Sequence, residues 1–274
     1  SKDLNLSSIK IITSTGSPLS EESFKYVYKN IKKDVHLASI AGGTDLVGCL
    51  VLGNLYSNVY KGEIQGQSLG LDIDIFNNNG KSTKDNESGE LVVKQPFPSM
   101  PVKFWGDENG EKYYKAYFKK FENIWHHGDF IQRTSNNGFI IKGRSDATLN
   151  PGGVRIGTSE IYQQVEDVDF ITEGLVVGQN YKDDVRIILF VTTKSDIELD
   201  DKKIKLIKDK IRKNCSPKHV PTMIIKTPEI PRTKSGKIVE LAVRNIINGK
   251  KLNNKEAIAN PESLKFFKNL KELK

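Results

Sequence analysis

A single lysine near the end of the chain has the surroundings of a phosphate-binding residue. Lys237 closes the stretch PRTKSGK, residues 231–237, directly before an amphipathic segment. A lysine is a compact positive charge on a long flexible stem, which suits it to stabilising negative charge on a phosphate. The stretch ends like a phosphate-binding loop but lacks the full G-x-x-x-x-G-K spacing, so a Walker-type loop is disfavoured.

Three other short stretches have residue types that could bind a nucleotide. In AGGTD, residues 41–45, the glycines let backbone amides approach a phosphate, and the Thr44 hydroxyl can bond to it. In HHGDF, Asp129 could accept two hydrogen bonds from a ribose diol or could cap a strand. GSPLS, residues 16–20, is typical of an ordinary turn, and AGGTD could equally be a tight connection. Taken singly, none of these stretches decides a function.

The composition is that of a soluble globular chain. The 274 residues are 37% hydrophobic and carry a net charge of +8. No run approaches the roughly 20 apolar residues of a membrane span, and no signal peptide is visible, which predicts a cytoplasmic protein with no membrane partner. The lysines are spread along the chain, so a solvated basic surface is favoured over a nucleic-acid interface. The two cysteines, Cys49 and Cys215, lack the spacing of a zinc site or a disulfide framework.

Apolar periodicity predicts the elements of the first half. The strand IKIITS, a helix that Ser20 can cap and the strand VHLASI predict a βαβ unit with a site at the carboxyl ends of its strands. From about Val51 to Lys142, short strands and polar turns predict a small β-barrel or sandwich. Within this segment we expect a short helix at residues 111–121 and a hairpin closed by Asn-Gly.

The second half predicts a compact α+β domain. The pattern predicts a helix from Thr158, followed by the strands ITEGLVVG and VRIILFVTT. It then predicts a helix with Ile204, Ile207 and Ile211 on one face, followed by the strand TMIIK. The segment IVELAVRNIING predicts a helix that ends at Asn-Gly, and PESLKFFKNLKELK predicts a terminal helix that frays. Between the halves, residues 143–162 accumulate Gly, Asp, Asn and Pro, which predicts a hinge or site loop.

Taken together and in order, these stretches form a specific pattern. The pattern resembles that of the adenylate-forming superfamily, which contains acyl-CoA synthetases, luciferases and peptide-synthetase adenylation domains. The matching stretches, in order, are GSP, GGTD, HGDF, GRSDATLNPGGVRIGTSEIY and PRTKSGK. The Gly-Arg-x-Asp and Pro-x-x-x-Ser-Gly-Lys elements lie about 90 residues apart, and the match covers nearly the whole chain. GGVRIGTSEIY resembles the branch that joins short acids to coenzyme A. PFPSMPVKFWGDENGEKYYKAYF and IWHHGDF resemble the members of that branch that activate acetoacetate.

The resemblance implies an α/β and α+β fold in two parts. Residues 1–145 would be the end of a large adenylating domain, with a βαβ layer at 1–50 and a small β-barrel at 51–145. Residues 146–274 would be a small, mobile α+β lid domain. In this superfamily a loop upstream of GSPLS holds the β- and γ-phosphates, so the chain is expected to be a C-terminal piece that is inactive alone.

The resemblance also implies a two-step reaction that uses ATP, Mg²⁺ and coenzyme A. Acetoacetate would attack the α-phosphate of ATP and release pyrophosphate, and the thiol of CoA would then displace AMP from the acyl-adenylate. Lys237 would stabilise the first transition state and then withdraw as the lid turns about a hinge at Asp146. Reversible acetylation of Lys237 would remove the charge that this step uses.

Position by position, the resemblance assigns further roles. Thr44 would bond to the α-phosphate, and Asp129 would hold the ribose hydroxyls. Asp45, where many relatives carry Glu, would be the carboxylate on the Mg²⁺ side, directly or through water. The other expected contacts are Gly16, Ser17 and Pro18 with the adenine, Gly43 with phosphate, Arg144 with ribose or phosphate, and Gly153, Arg155 and Arg212 with CoA.

Ala41 and Gly42 stand where acetyl-CoA synthetases carry bulky tryptophans, one of which caps a short acyl pocket. Removing an indole would open space for a four-carbon keto acid, while other short acids remain alternatives. Arg212 could instead be an exposed charge at a helix end. His126 and His127 are expected to pack or to form hydrogen bonds rather than to act as bases. A non-catalytic module that binds CoA or a nucleotide is the alternative from a different functional class.

Overall fold

The computed structural model describes residues 4–195, 197–252, 255–268 and 270–273. The chain divides into two compact units, Ser1–Ser145 and Asp146–Lys274. Buried apolar clusters form within each unit, so each unit has a core of its own.

The first unit begins with the predicted βαβ arrangement. Strand β1 (Ile11–Ser14) and strand β2 (His36–Ser39) pair in parallel, and helix α1 (Glu21–Tyr26) with a π-helical turn (Val27–Ile31) connects them. The Ser20 side chain accepts a hydrogen bond from the Ser23 amide at 3.3 Å, as expected of an N-cap. The βαβ prediction is therefore confirmed.

Two antiparallel sheets form the rest of this unit. The first contains β3 (Ala41–Gly43), β4 (Gly48–Leu52) and β5 (Gly66–Gln67). The second contains β6 (Ile73–Phe76), β7 (Ser88–Val93), β8 (Trp125–Arg133) and β9 (Phe139–Arg144), with helix α2 (Glu111–Tyr117) between β7 and β8.

In the described part of the chain these sheets are open, and no closed barrel forms. Closure would require the outer strands of one sheet, such as β6 and β9, to pair with each other, and they do not. Instead the two sheets share one apolar core, to which Leu50, Val51, Ile75, Trp125 and Ile131 contribute. The expected barrel segment is thus a pair of sheets packed over a common core, whereas the broader mixed α/β class is confirmed.

The hairpin β8–β9 turns where the sequence predicted it. Thr134 and Gly138 close the connection through a backbone hydrogen bond of 2.9 Å. Asn137 adopts a positive φ of 60°, a conformation that asparagine tolerates better than most residues. The hairpin sets Asp129 directly opposite Arg144.

The second unit is a three-stranded sheet covered on both faces. Helix α3 (Thr158–Glu166) precedes β10 (Ile171–Tyr181) and β11 (Asp184–Thr193), and helix α4 (Asp201–Asn214) precedes β12 (Met223–Lys226) and helix α5 (Glu240–Ile247). β11 pairs antiparallel with β10 and parallel with β12. Alternate strand residues enter opposite cores, because successive side chains of a strand point to opposite faces. The α+β prediction is confirmed.

The last segment differs from its prediction as a terminal helix that frays. It forms two 3₁₀ turns, Pro261–Lys265 and Lys271–Leu273, while Asn269 and Lys274 lie outside the described residues. Leu264, Phe267 and Leu273 are buried in one of the two cores of the second unit. The prediction was wrong because it relied on the terminal position of the segment, and sequence alone could not reveal the distant apolar face that receives these three side chains.

No described helix combines the length and the apolar character needed to cross a bilayer. Cys49 and Cys215 are both half-buried, and the Cys215 thiol donates to the Glu160 carbonyl at 3.6 Å.

Candidate functional site

The predicted adenine and phosphate loops leave the same edge of the β1–β2 pair. Ser14 and Ser39 are partners in the parallel register, and the Ile40 amide donates to the Ser14 carbonyl at 2.9 Å. The exposed residues 16–18 follow β1, and β3 follows β2. Since the carboxyl ends of neighbouring parallel strands meet at one edge, the two loops start side by side.

Thr44 and Asp45 are both exposed at the end of β3, directly after Gly43. The Asp45 carboxylate accepts a hydrogen bond of 2.5 Å from the Tyr117 hydroxyl of α2. Burial and this carboxylate both raise the pKa of Tyr117, so the phenol stays protonated and acts as a donor. Tyr117 therefore orients the carboxylate for which the resemblance predicts a place beside Mg²⁺.

Gly42 has a structural explanation that the sequence did not suggest. A Cβ atom at this position would lie 2.0 Å from the Gly48 carbonyl oxygen and 2.6 Å from the Cys49 Cα atom. Any side chain would therefore collide with the backbone of β4. Ala41 is half-buried and packs against the core of the first unit. The role of these two residues in an acyl pocket stays a prediction.

Asp129, the predicted ribose ligand, is a buried carboxylate with a positively charged partner. It is 8% exposed, and Arg144 Nη1 donates to its Oδ1 at 3.0 Å. The same nitrogen donates to the His127 carbonyl at 3.2 Å. Gly128, with φ of 84°, makes room for this arrangement, because a Cβ atom there would lie 2.6 Å from Arg144 Nη2. Because Gly128 has no side chain, the Arg144 guanidinium can pass over the backbone of β8 to reach Asp129.

His127 connects this pair to the β3 loop. It is buried, it hydrogen-bonds to the Gly42 backbone, and its Nε2 lies 3.6 Å from Asp129 Oδ2. Trp125 Nε1 donates to His127 Nδ1 at 3.4 Å, which leaves the proton of a neutral ring on Nε2. Burial lowers the pKa of His127 despite the opposing effect of the Asp129 carboxylate, so the ring is neutral at pH 7.

An aromatic stack completes this region. The rings of Tyr117 and Trp125 lie parallel with centroids 3.6 Å apart. Through this stack, α2 and β8 hold Asp45 on one side and His127 on the other. Asp45, Asp129 and Arg144 are thus linked through Tyr117, Trp125 and His127 by hydrogen bonds and one ring stack, and Thr44 precedes Asp45 in the chain.

The donor set around Asp45 fits Mg²⁺ only as part of a larger complex. No described cluster of three or more His, Cys, Asp or Glu residues could hold a metal ion. Mg²⁺ is often bound by one or two carboxylates together with substrate phosphates. The single exposed carboxylate of Asp45 is compatible with this second mode.

In the second unit, Lys237 ends a closed turn. The Thr233 amide donates to the Lys237 carbonyl at 2.8 Å, and the Lys237 amide donates to Thr233 Oγ1 at 3.0 Å. Arg232 donates to the Gly236 carbonyl at 2.6 Å and forms an ion pair with Glu173 of β10. The Lys237 side chain is exposed, so a fixed turn presents this cation to solvent.

The expected CoA-binding residues of this unit lie on separate elements. The Gly152 amide donates to both carboxylate oxygens of Asp184, at 2.9 and 3.1 Å, which holds the Gly152-Gly153 loop against the β10–β11 turn. This loop and residues 180–185 line an open cleft of about 640 Å³. Arg155 donates to Thr148 Oγ1 at 3.2 Å.

Arg212 is not part of that cleft lining. It lies in the last turn of α4, where its Nη1 donates to Asp209 Oδ1 at 3.1 Å, and its side chain is 56% exposed. Its role toward CoA stays a prediction. Asp146 is exposed and is the first residue of the second unit.

Three residues with clear structural roles were absent from the sequence-based site. Tyr117 orients Asp45, His127 links the β3 loop to Asp129, and Arg232 braces the turn that carries Lys237. Tyr117 lies 72 residues from Asp45, so no local pattern could have revealed it. His127 and Arg232 each stand inside a quoted motif, and that adjacency was the available signal.

No protein-family model matches the chain. The acetoacetyl-coenzyme A synthetase of Rhizobium meliloti (strain 1021) is 57% identical over 270 residues, which are 98% of this chain and 41% of that protein. The acetoacetyl-CoA synthetase of Xenopus tropicalis is 47% identical over 98% of this chain and 40% of that protein. Among solved structures, an acetoacetyl-CoA synthetase from Streptomyces lividans matches with a TM-score of 0.89 and 38% identity, over 99% of this chain and 42% of that one.

These matches place the chain in the adenylate-forming class of enzymes, which confirms the resemblance seen in the sequence. Within that class, its sequence belongs with the acetoacetyl-CoA synthetases. The chain spans about 40% of the length of these relatives.

Proposed function

We propose that the full-length protein joins acetoacetate to coenzyme A through an acetoacetyl-adenylate. The observation that carries the proposal is the 57% identity, across 98% of this chain, to a protein named acetoacetyl-coenzyme A synthetase. A carboxylate oxygen of acetoacetate forms a bond to the α-phosphorus of ATP, and pyrophosphate leaves. The CoA sulfur then bonds to the acyl carbon, and AMP leaves as the C–O bond breaks.

In this proposal the first unit binds the nucleotide. Gly16, Ser17 and Pro18 contact the adenine, Asp129 accepts hydrogen bonds from the ribose, and Arg144 lies beside it. Gly43 and Thr44 donate to the α-phosphate. The support is chemical: Asp129 and Arg144 form a charged pair at 3.0 Å, and such a pair can rearrange to bond a diol and a phosphate.

The metal that the family implies would be held by Asp45 together with the phosphates of ATP. When bound, Mg²⁺ neutralises phosphate charge. The contribution of this chain is to orient the carboxylate, for which the 2.5 Å hydrogen bond from Tyr117 is the supporting observation.

The second unit supplies Lys237 to the first step and the CoA-facing residues to the second. Lys237 stabilises negative charge that develops as pyrophosphate departs. Gly153, Arg155 and Arg212 contact CoA, and Asp146 is the hinge about which the unit turns. Thioester formation by a thiol needs little help from a base, so His126 and His127 have no proton-transfer role.

Small molecules are the proposed partners, and the proposed location is the cytoplasm, where ATP and CoA are abundant. Acetylation of Lys237 would switch the first step off by removing its positive charge.

The test is a panel of acids with the full-length protein. Pyrophosphate release is measured with acetate, propionate, butyrate and acetoacetate in the presence of ATP and CoA. We expect acetoacetate to give the highest kcat/KM, by at least about tenfold, since one or two extra groups in a fitted pocket typically change binding by 1–3 kcal/mol.

A higher kcat/KM with acetate, propionate or butyrate would overturn the substrate assignment but keep the reaction class. If no acid releases pyrophosphate while calorimetry detects binding of AMP or CoA, the protein is a binding module.

A further inference from the structure

The two compact units are joined by the peptide bond between Ser145 and Asp146. In the proposed reaction, on which this inference rests, the second unit changes its orientation between the two steps. Such a change is absorbed by backbone torsions that contacts within the units leave free to rotate. The contacts of these two residues therefore define where the chain can pivot.

Ser145 is held by the first unit at two points. Its amide donates to the Gly128 carbonyl at 2.8 Å, and its hydroxyl donates to Oε2 of Glu90. Glu90, in β7, is fully buried, and its carboxylate also bonds to His126 Nε2 at 2.8 Å and to the Lys120 ammonium. A buried carboxylate with several charged or polar donors is a firm anchor. Ser145 thus behaves as a fixed part of the first unit.

Asp146 is held by the second unit through its carbonyl group. The Arg244 guanidinium donates to the Asp146 carbonyl oxygen. Arg244 lies on α5, which begins three residues after Lys237. The contact therefore connects the junction to the same segment that carries the lysine of the first step.

Helix α5 is itself fixed within the second unit. The Tyr162 hydroxyl of α3 donates to Glu240 Oε1, in the first turn of α5, at 2.5 Å. The Val176 amide of β10 donates to the same hydroxyl at 3.2 Å. Tyr162 therefore connects α5 to both α3 and β10. Because of these connections, Arg244 moves together with the second unit as a whole.

We infer that Arg244 is a positioning residue that shortens the pivot between the units and couples it to Lys237. Between the anchored Ser145 side and the anchored Asp146 carbonyl lie three rotatable torsions, ψ of Ser145 and φ and ψ of Asp146, because the peptide bond is planar. Because only three torsions can rotate, α5 can take few orientations relative to the junction. Lys237 lies three residues before α5, so its position is restricted in the same way.

The test compares three arginine variants of the full-length protein. Arg244→Met removes the donor to Asp146, and Arg244→Lys keeps one. Arg186→Met is the matched control, since Arg186 donates to the Leu273 carbonyl at 2.8 Å elsewhere in the same unit. We expect R244M to slow acetoacetate-dependent ATP–pyrophosphate exchange by about 10- to 100-fold, as small misplacements of a reacting group can. R244K should recover most of the rate, and R186M should stay within about twofold of wild type.

Tryptic cleavage after Arg144 gives a readout that does not depend on activity. R244M removes one hydrogen bond that holds the junction and should speed this cleavage, whereas R244K and R186M should resemble wild type. The inference is overturned if R244M matches R186M in cleavage rate, or if exchange falls while cleavage is unchanged. If wild-type protein shows no exchange with acetoacetate, the proposed function fails, and the cleavage rates still decide this inference.

Discussion

His127 is a buried ring at the centre of the predicted nucleotide site, and its charge state matters for the fold. It contacts the backbone of the β3 loop and lies 3.6 Å from Asp129. The sequence predicted that it packs or forms hydrogen bonds, although it did not show which loops the ring connects. Because burial lowers its pKa, protonation of this ring is coupled to unfolding.

The first prediction concerns pH and stability. Below about pH 6.5 the unfolded chain binds a proton at His127 that the folded chain resists, so the free energy of unfolding should fall as pH is lowered from 7 to 5. One such group contributes a slope of at most about 1.4 kcal/mol per pH unit. Urea denaturation at a series of pH values measures this slope.

The variant His127→Gln should lose that part of the slope, since glutamine does not titrate in this range. His219→Gln, which replaces a histidine of the second unit, is the matched control and should keep it. Equal slopes in wild type and His127→Gln would mean that the ring is not protected from protonation in the folded state.

Among the structural elements, the Lys237 turn is held by more contacts than its glycine and serine content suggests. Main-chain and hydroxyl hydrogen bonds close the turn on Thr233, and Arg232 ties it to Glu173 of β10. A lysine on such a turn moves with the sheet of its unit. We therefore expect any motion of the lysine to be motion of the whole unit, as the predicted hinge at Asp146 would require.

The second prediction tests whether this bracing matters. Arg232→Met removes the ion pair with Glu173 and the bond to the Gly236 carbonyl, and the turn should then sample other conformations. We expect acetoacetate-dependent pyrophosphate exchange in the full-length protein to fall by about tenfold. The fall should be smaller than in Lys237→Ala, which removes the charge itself.

Lys210→Met supplies the control for this comparison. It breaks another partly exposed ion pair of the same unit, Lys210 with Asp167 at 3.5 Å. Both methionine variants should lower thermal stability only slightly, because such pairs contribute about 0–1 kcal/mol. Exchange at the wild-type rate in Arg232→Met would show that the turn keeps its shape without the brace.

Local patterns predicted the elements whose stability is set by their own periodicity. In α4, Ile207 and Ile211 are fully buried one turn apart, as the apolar spacing required. The two strands β10 and β11 and the Asn-Gly hairpin of the first unit also follow from alternation and turn chemistry. The order of the motifs was enough to indicate the class of enzyme.

Contacts between distant parts of the chain could not be predicted in this way. Tyr117 reaches Asp45 across 72 residues, and Ser145 reaches Glu90 across 55. The expected barrel forms as two separate sheets because of the way its strands pair. Strand propensity alone does not determine which strands pair with each other. These are tertiary choices, and the functional geometry depends on them.

At the scale of the whole molecule, each unit has an apolar core of its own, so we expect each unit to unfold in a separate transition. The second unit has two cores, one on each face of its sheet, and the last segment supplies Leu264, Phe267 and Leu273 to one of them. A segment that was expected to fray therefore covers one face of the sheet. Both tryptophans, Trp105 and Trp125, belong to the first unit, so their fluorescence follows that unit alone.

The last prediction uses this asymmetry. Phe267 is 1% exposed and packs edge to face on Phe190 at 4.8 Å, so Phe267→Ala should destabilise the second unit by about 3–5 kcal/mol. In a urea titration the far-ultraviolet circular dichroism should then show an earlier transition, while the tryptophan midpoint stays in place. Ile131→Ala, in the core of the first unit, should instead lower the tryptophan midpoint. If Phe267→Ala shifts both signals equally, the two units unfold as one cooperative body, because separate cores would confine the loss to the unit that contains the cavity.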